Sequence, residues 1–338
     1  MRHLRSLASS LKHSLRRLSH ASVKPDETKV QHGPTLIDHG KAIAGHGEWL
    51  ADHSKSLAGH GQWLADHNKA FTDHSNALDD LRRRLEEVER IQSLRVFMEW
   101  IEHARLSESP RISVVLPTRN RATFLPMAVA SVRAQSYANW ELLIVDDGSD
   151  DETPERLAAF DDSRIQPLRI PHAGSNAARN AALDRATGDI IAYLDDDNVM
   201  HPSWLKAVAW AFDKRPNVDV LYGGIILDDA ERVDNRGSGS FAKLFLRPYD
   251  RKVLLNENLA DMSAIAHRAP LPGARFDESL ATVGDWDLLC RLTADRDPLV
   301  LPAIACFYFT DAPNRLSGTA IRDTDRKTVR RKHAQERV

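Results

Sequence analysis

Two stretches of sequence, ELLIVDDGSDD at residues 141–151 and DIIAYLDDDN at residues 189–198, decide the fold. Each is a short apolar run without the polar alternation of a half-exposed strand, and each ends in consecutive aspartates. Runs of this kind are typical of parallel strands that are buried on both faces. The runs ISVVLP at residues 112–117 and RIQPLRI at residues 164–170 repeat the pattern, with helical spacing between them. The sequence therefore predicts an α/β domain whose parallel sheet is covered by helices.

The aspartates at the strand ends are the first candidates for chemistry. Ligands of such sheets bind at the carboxyl ends of the strands, so Asp146–Asp147 and Asp195–Asp197 should face one crevice. Neighbouring ionised carboxylates about 4 Å apart repel by on the order of 1 kcal/mol in water, and by more inside a protein. A cation is therefore expected among them, and carboxylate oxygens suit Mg²⁺ or Mn²⁺. The alternative, capping of the next helix by Asp196 or Asn198, explains only one of these residues.

The composition excludes several classes of protein. The chain has 338 residues, with 46 basic and 48 acidic side chains and a formal net charge of −2. Without a basic excess, no nucleic acid is expected as a partner. Cys290 and Cys306 are too few for a disulfide framework and are expected in the core. No apolar run reaches the roughly 18 residues of a membrane span, so a cytoplasmic protein is expected.

Residues 31–106 are predicted to form a heptad-repeat, coiled-coil stalk. Residues 41–68 hold two copies of one motif, KAIAGHGEWLADHS and KSLAGHGQWLADHN. Apolar residues recur every seven positions from Leu36 to Leu85, and histidines follow three positions later from His39 to His74. Apolar residues thus take heptad position a and histidines position d, which favours a homo-oligomer formed through residues 36–90. Because glycines within the repeat oppose a helix, a frayed linker and a metal-binding histidine ladder remain alternatives.

Both ends of the chain are basic. Residues 1–30 form a predicted amphipathic arm, with six basic and no acidic residues up to Lys24. Such an arm favours contact with an anionic membrane, which would place the protein peripherally at the inner face of the plasma membrane. The alternatives are a disordered basic arm and a transit-like leader. Residues 319–338 are predicted to be a basic tail, either a solvated end or a second membrane contact.

Five motifs follow one another from Ile112 to Ser317: VVLPTRNR, SVRAQSYANWELLIVDDGSDD, GSNAARNAAL, TGDIIAYLDDDN and FDESLATVGDWDLLCRL. In this order they resemble the inverting family 2 glycosyltransferases. The resemblance implies a GT-A fold, a Rossmann-like mixed sheet, over residues 110–318. It also implies a nucleotide-diphosphate sugar as donor and a glycan or lipid-linked acceptor, as in polysaccharide biosynthesis.

The resemblance also implies roles for individual residues. Those assigned to the nucleotide are Pro117, Arg119, Asp146, Asp147, Arg179, Asp195 and Asp196. Asp197 would bind Mn²⁺ or Mg²⁺ on the diphosphate. For Arg179 the alternative is a surface position on its helix.

The candidate general base is Asp285, which matches the family's catalytic acid position in VGDWDLLCRL. Glu278 and Asp287 are its competitors, because a base must lie within hydrogen-bond reach of the acceptor hydroxyl and several carboxylates are close in sequence. The ring of Trp286 would either wall the acceptor site or lie in the core.

The sequence departs from the family near its end. Where many relatives have Tyr-Arg-x-His, residues 308–311 read Tyr-Phe-Thr-Asp. Asp311 therefore either replaces the histidine as a metal ligand or leaves that role unfilled. His172 and His201 are predicted to be loop residues.

The implied reaction is a single displacement with inversion, in which a metal stabilises the charge on the departing diphosphate. Two other classes compete with it. The first is an inactive GT-A-like scaffold whose stalk oligomerises or tethers the chain. The second is a nucleotidyltransferase, which would need a glycine-rich or basic loop after the first strand that VVLPTRNRATF lacks.

Overall fold

The structure is a computed structural model that describes residues 33–228, 243–309 and 320–334. The basic arm at residues 1–30 and the candidate ligand Asp311 lie outside the described residues. The chain divides into two units, of which the first ends at Leu81 and the second begins at Arg82.

A single helix, α1 (Gly33–His103), runs for 71 residues and spans the division between the units. It confirms the helix predicted from the heptads, while the coiled coil stays a prediction. Every side chain from Asp38 to Asp79 is exposed. The described residues therefore cover none of the side chains in this part of the helix.

Within the described residues of the second unit, nine strands form one sheet. The strands are β1 (Ile112–Thr118), β2 (Trp140–Asp147), β3 (Ile165–Ile170), β4 (Ile190–Tyr193), β5 (Asn198–Met200), β6 (Val220–Asp228), β7 (Lys243–Phe245), β8 (Ile265–Arg268) and β9 (Leu299–Phe309). The helices are α2 (Leu125–Arg133), α3 (Thr153–Ala158), α4 (Ser175–Leu183), α5 (Trp204–Lys214), α6 (Arg251–Leu254), α7 (Gly284–Leu292) and α8 (Ala320–Lys332), and a 3₁₀ turn covers Met262–Ala264.

The strand order is β3-β2-β1-β4-β8-β6-β9-β5, and β7 pairs with β6. The first four strands are parallel, with Ile112 of β1 opposite Trp140 of β2 and Ile190 of β4. β8 runs antiparallel to both β4 and β6, so the sheet is mixed. The α/β class, the mixed sheet and the four parallel strands predicted from the apolar runs are confirmed.

The core has two layers because alternate residues of a strand point to opposite faces of the sheet. Val114 and Leu116 of β1 pack on one face with helices α2 and α5, together with the buried Met98 and Ile101 near the end of α1. Val115 packs on the other face with residues of α4, α6 and α7. Both cysteines are buried, as predicted, and neither forms a disulfide.

The predicted basic tail contains helix α8 rather than a solvated end. Val329 belongs to the core layer of α4 and α7, and Asp325 and His333 are buried as well. In the described residues, no helix combines the length and apolarity that a membrane crossing requires.

Candidate functional site

The site lies at the carboxyl edge of the parallel strands. β2 ends in Asp146 and Asp147, both buried, and β4 leads through Leu194 into Asp195, Asp196 and Asp197. β1 lies between these two strands in the sheet and leads into the turn at residues 119–121. The two acidic clusters therefore share one edge, as the sequence predicts.

The carboxylate of Asp147 organises the loop that follows β3. It accepts hydrogen bonds from the backbone N–H groups of Ala173 (2.7 Å) and Gly174 (3.0 Å), and Nδ1 of His172 lies 2.8 Å from its Oδ2. Gly148 follows with a φ of 71°, and a Cβ there would lie 2.8 Å from the backbone N of His172. His172 is a loop residue, as predicted, and it contacts Asp147, one of the residues assigned to the nucleotide.

The aspartates after β4 lie close to Arg121. Its Nε is 3.7 Å from Oδ1 of Asp196, and its guanidinium is 3.8 Å from Oδ2 of Asp197. Burial raises the pKa of Asp196 to about 7, the charges of Asp197 and Asp195 add to the rise, and Arg121 opposes it. Burial is thus the main cause of the raised pKa of Asp196, and the two neighbouring carboxylates add to it.

Helix α4 brings a second cation to the cluster. Arg179 is buried and donates to Oδ1 of Asp195 at 2.7 Å, so it does not have the surface position that was its alternative. The same guanidinium donates to Asn176 at 3.1 Å. Asn176 in turn donates to the carbonyl of Leu280 at 2.8 Å, which ties α4 to the segment before α7.

Asp285 lies in the first turn of α7, beside this arginine–aspartate pair. Val283 caps the helix with a φ of 50°, a left-handed conformation that is strained for a β-branched residue. Asn258 donates to Oδ2 of Asp285 at 2.7 Å, and the N–H of Trp286 donates to its Oδ1 at 2.8 Å. Burial raises the pKa of Asp285 and the charge of Asp195 adds to it, against the opposing effects of these donors and of Arg179.

The competitors of Asp285 have other partners. Asp287 is fully buried in ion pairs with Arg291 (2.9 Å) and Lys332 (2.9 Å), and Nε2 of His333 lies 3.1 Å from its Oδ1. Glu278 accepts a hydrogen bond from Asn180 at 2.7 Å. Trp286 is 1% exposed and its Nε1 donates to the carbonyl of Leu254, which agrees with the core alternative.

The sequence did not predict the position of every residue at the site. Pro117 is buried within β1, whereas Arg119 is exposed on the turn after it. Arg121, which contacts the aspartates, was not predicted, although it belongs to the quoted motif VVLPTRNR. Asn258 lies in the stretch NENLADMSAIAHR (residues 256–268), where acceptor contacts were expected, but it was not singled out because no motif surrounds it.

The donor set after β4 fits a hard divalent cation. Within the described residues, no three His, Cys, Asp or Glu side chains are arranged as a metal centre. The three consecutive carboxylates nevertheless supply oxygen ligands only, and hard divalent cations prefer such ligands.

Comparisons with known proteins agree with this geometry. Residues 113–268 match glycosyl transferase family 2. Over 113 residues the chain is 38% identical to the Escherichia coli UDP-Glc:alpha-D-GlcNAc-diphosphoundecaprenol beta-1,3-glucosyltransferase WfgD, a match that covers 33% of this chain and 44% of that protein. The chain spans less than half the length of the first curated relatives that it matches.

Two solved structures share the fold. TarS 1-349 of S. aureus, in complex with UDP-GlcNAc, has a TM-score of 0.54 at 19% identity, covering 67% of this chain and 66% of that one. The mannosyltransferase PcManGT from Pyrobaculum calidifontis, in complex with GDP-Man and Mn²⁺, has a TM-score of 0.51 at 16% identity, covering 73% of each chain. The expected GT-A fold is thereby confirmed, and the match of residues 113–268 to glycosyl transferase family 2 confirms the resemblance predicted from the motifs.

Proposed function

We propose that this domain transfers a sugar from a nucleotide-diphosphate sugar to an acceptor hydroxyl, with inversion at the anomeric carbon. One observation carries the proposal. The half-buried carboxylate of Asp285 lies next to the Arg179–Asp195 pair, at the edge where the acidic strand ends meet. A base and a donor-binding cluster in one crevice are what a single displacement requires.

In this proposal Asp285 takes the proton of the acceptor hydroxyl. A carboxylate is a stronger base when its pKa is raised toward the working pH, and burial and the charge of Asp195 raise that of Asp285. The hydrogen bond from Asn258 fixes the orientation of the carboxylate. Asp287 and Glu278 are less suited, because ion pairs hold the first and a buried asparagine holds the second.

The nucleotide would be held by the acidic ends of β2 and β4, with Pro117, Arg119 and Arg179 nearby. A carboxylate offers about four acceptor positions. Asp147 uses three of them for His172, Ala173 and Gly174 when the histidine Nδ1 carries a proton, so one remains for a nucleobase N–H. Asp196, beside Arg121, would accept from the ribose.

Asp197, with Asp195 and the undescribed Asp311 as further candidates, would hold Mn²⁺ or Mg²⁺. When bound, such an ion neutralises charge on the departing diphosphate. Arg121 and Arg179 lie beside these aspartates and would add positive charge near the diphosphate. PcManGT, which shares the fold, has a structure in complex with GDP-Man and Mn²⁺.

The test is a panel of sugar nucleotides with Mn²⁺, monitored for release of free nucleoside diphosphate and for donor binding by calorimetry. We expect turnover by the wild type, with Asp285→Asn binding the donor normally and losing transfer. Glu278→Gln is the matched control and should keep both properties. Normal sugar transfer by Asp285→Asn would exclude Asp285 as the general base. Donor binding without turnover by the wild type, with any donor and acceptor, would favour the inactive scaffold.

The acceptor class and the location are further parts of the proposal. A lipid-linked acceptor is supported by the name of the relative WfgD, which acts on a diphosphoundecaprenol-linked sugar. Contact with an anionic membrane through residues 1–30 rests on their charge alone. Flotation with anionic liposomes tests it, since deletion of residues 1–24 should abolish binding.

A further inference from the structure

The first unit carries an apolar surface that the described fold leaves uncovered. The side chains that recur every seven residues along α1 are between 56 and 76% exposed: Ile43, Leu50, Leu57, Leu64, Phe71 and Leu78. We propose that residues 43–81 bind a second copy of this chain, side by side and in parallel. The proposal does not depend on the proposed enzymatic activity.

The charges of α1 are kept away from this surface. With apolar residues at heptad position a and histidines at position d, every Asp, Glu and Lys from Asp38 to Asp73 falls at position c or f. Those positions lie on the opposite side of the helix. The flanking positions e and g hold only Gly, Ala, Ser, Asn or Trp from Gly40 to Ala77. A second copy would therefore meet no like charge at neutral pH.

The glycines point to the same interface. A Cβ at Gly47 or Gly61, both at position e, would meet nothing within 4 Å, so no contact within the described chain requires glycine there. Each glycine costs helix stability relative to alanine, and long helices in proteins gain most of their stability from packing. Glycine beside the apolar row lets another helix backbone approach closely.

An identical chain is the partner that matches this surface best. A sustained spacing of seven residues fits a helix with the same spacing, and a second copy supplies it in the same register. The six apolar side chains, with the half-exposed Trp49 and Trp63, leave roughly 100 Å² apiece accessible. Together this approaches the ~800 Å² that each partner buries in a standard interface.

The histidines favour the parallel arrangement. In parallel register each apolar layer meets the same apolar residue, and each histidine meets its own counterpart. Two neutral imidazoles can pair where one presents a donor and the other an acceptor nitrogen, and at His67, whose Nδ1 lies 2.9 Å from the carbonyl oxygen of Trp63, the nitrogen left for pairing is Nε2. In an antiparallel arrangement, position a would face position d, so each leucine would cover a histidine and leave its nitrogens without a partner.

The same layers predict dissociation in acid. The groups that face His53 in this packing are the same histidine of the second copy and the Trp49 ring, whose centroid lies 3.9 Å from the imidazole. Trp63 and His67 repeat the contact at 3.8 Å. The carboxylates of the repeat lie at positions c and f on the outer side, so paired imidazoliums formed in acid would repel each other unscreened.

The experiment is sedimentation velocity of the full chain at pH 8 and pH 5, over about 1–100 µM. We expect an oligomer at pH 8 and at least a tenfold weaker association at pH 5. Leu64→Asp/Leu78→Asp should be monomeric, whereas Gln62→Asp/Asn76→Asp adds the same charge at position f and should stay oligomeric. Circular dichroism of both variants excludes loss of the helix as the cause. A monomeric wild type at pH 8, or association unaffected by the Leu64 and Leu78 changes, would overturn the proposal.

Two further variants test the register and the histidines. Leu50→Cys should form an intermolecular disulfide on oxidation, and Lys55→Cys, at position f, should not. An oligomer in which Leu50→Cys fails to cross-link contradicts the parallel register. His53→Asn/His67→Asn should remain associated at pH 5. Dissociation of that variant in acid, or loss of the wild-type oligomer with chelator at pH 8, would contradict the role given to the histidines.

Discussion

Helix α8 holds the segment that carries the candidate base Asp285. Both the N–H and the hydroxyl of Thr282 donate to Oδ2 of Asp325, at 2.7 and 2.8 Å. Farther along the segment, Asp287 is ion-paired to Lys332 and contacts His333 of the same C-terminal region. The strained Val283 and Asp285 lie between these two attachments. We therefore expect Asp325 to act as a positioning residue for Asp285.

The change Asp325→Ala leaves two donors of Thr282 without an acceptor. Thr282 and Asp325 are each less than 10% exposed, so water replaces the lost bonds poorly. An unsatisfied buried group costs about 1–3 kcal/mol, which gives a loss of about 2–6 kcal/mol in the free energy of unfolding. The left-handed conformation of Val283 costs about 1–2 kcal/mol and would relax once the attachment is lost. A displacement of Asp285 by about 1 Å corresponds to a fall in kcat of roughly 10²-fold.

The assay combines denaturant unfolding with steady-state kinetics at temperatures where the variant is folded. We expect kcat to fall while KM for the donor changes little, because Asp325 touches the base segment and not the donor cluster. Asp323 is an exposed carboxylate on the same helix, so Asp323→Ala is the control and should change neither kcat nor the KM for the donor. The reasoning is refuted if Asp325→Ala keeps the wild-type kcat, or if Asp323→Ala produces the same loss.

Three other predictions concern the donor site and the ion pairs of Asp287. Gly148→Ala should weaken nucleoside diphosphate binding about tenfold by calorimetry, because the added Cβ would clash with the backbone of His172. Gly273 has a similar positive φ but open space around it, so Gly273→Ala is the control and should leave binding unchanged. Burial alone would raise the pKa of Asp287, but the hydrogen bond from His333 and the charges of Arg291 and Lys332 hold it well below its usual range. Its ion pairs therefore stabilise the fold above about pH 4, and this part is lost as the pH falls further, so Asp287→Asn should flatten the acid limb of a stability–pH curve. Asp197→Asn should abolish the Mn²⁺-dependent part of nucleotide binding in a titration, whereas Asp150→Asn, an exposed aspartate of the same edge, should not.

The sequence predicted the parallel strands well because burial on both faces leaves a plain signal. Runs such as those of β1, β2 and β4 have no polar alternation, and their aspartates follow directly in sequence. The edge at which these aspartates meet then follows from the parallel pairing alone. The antiparallel β8 was harder to predict, since its four residues Ile265–Arg268 carry too short a pattern.

The sequence could not predict which of two arginines contacts the aspartates after β4. Arg119 and Arg121 both follow β1, but Asn120 between them adopts a φ of 54°. Its N–H donates to Ser149 and its side chain accepts from the N–H of Asp150, so contacts with a distant segment fix this turn. The turn leaves Arg119 exposed and sets Arg121 beside Asp196. Pattern reasoning has no access to such a constraint.

The C-terminal helix has a buried face that the count of its charged residues did not predict. Residues 321–338 hold seven basic and three acidic side chains, which indicated a solvated tail. Asp325, Val329 and His333 are spaced by four and therefore share one side of the helix. All three are buried, and the basic residues between them occupy the remaining surface. The spacing is visible in the sequence, but the burial of this face depends on partners more than forty residues earlier. Asp325 accepts a hydrogen bond from Thr282, and His333 contacts Asp287.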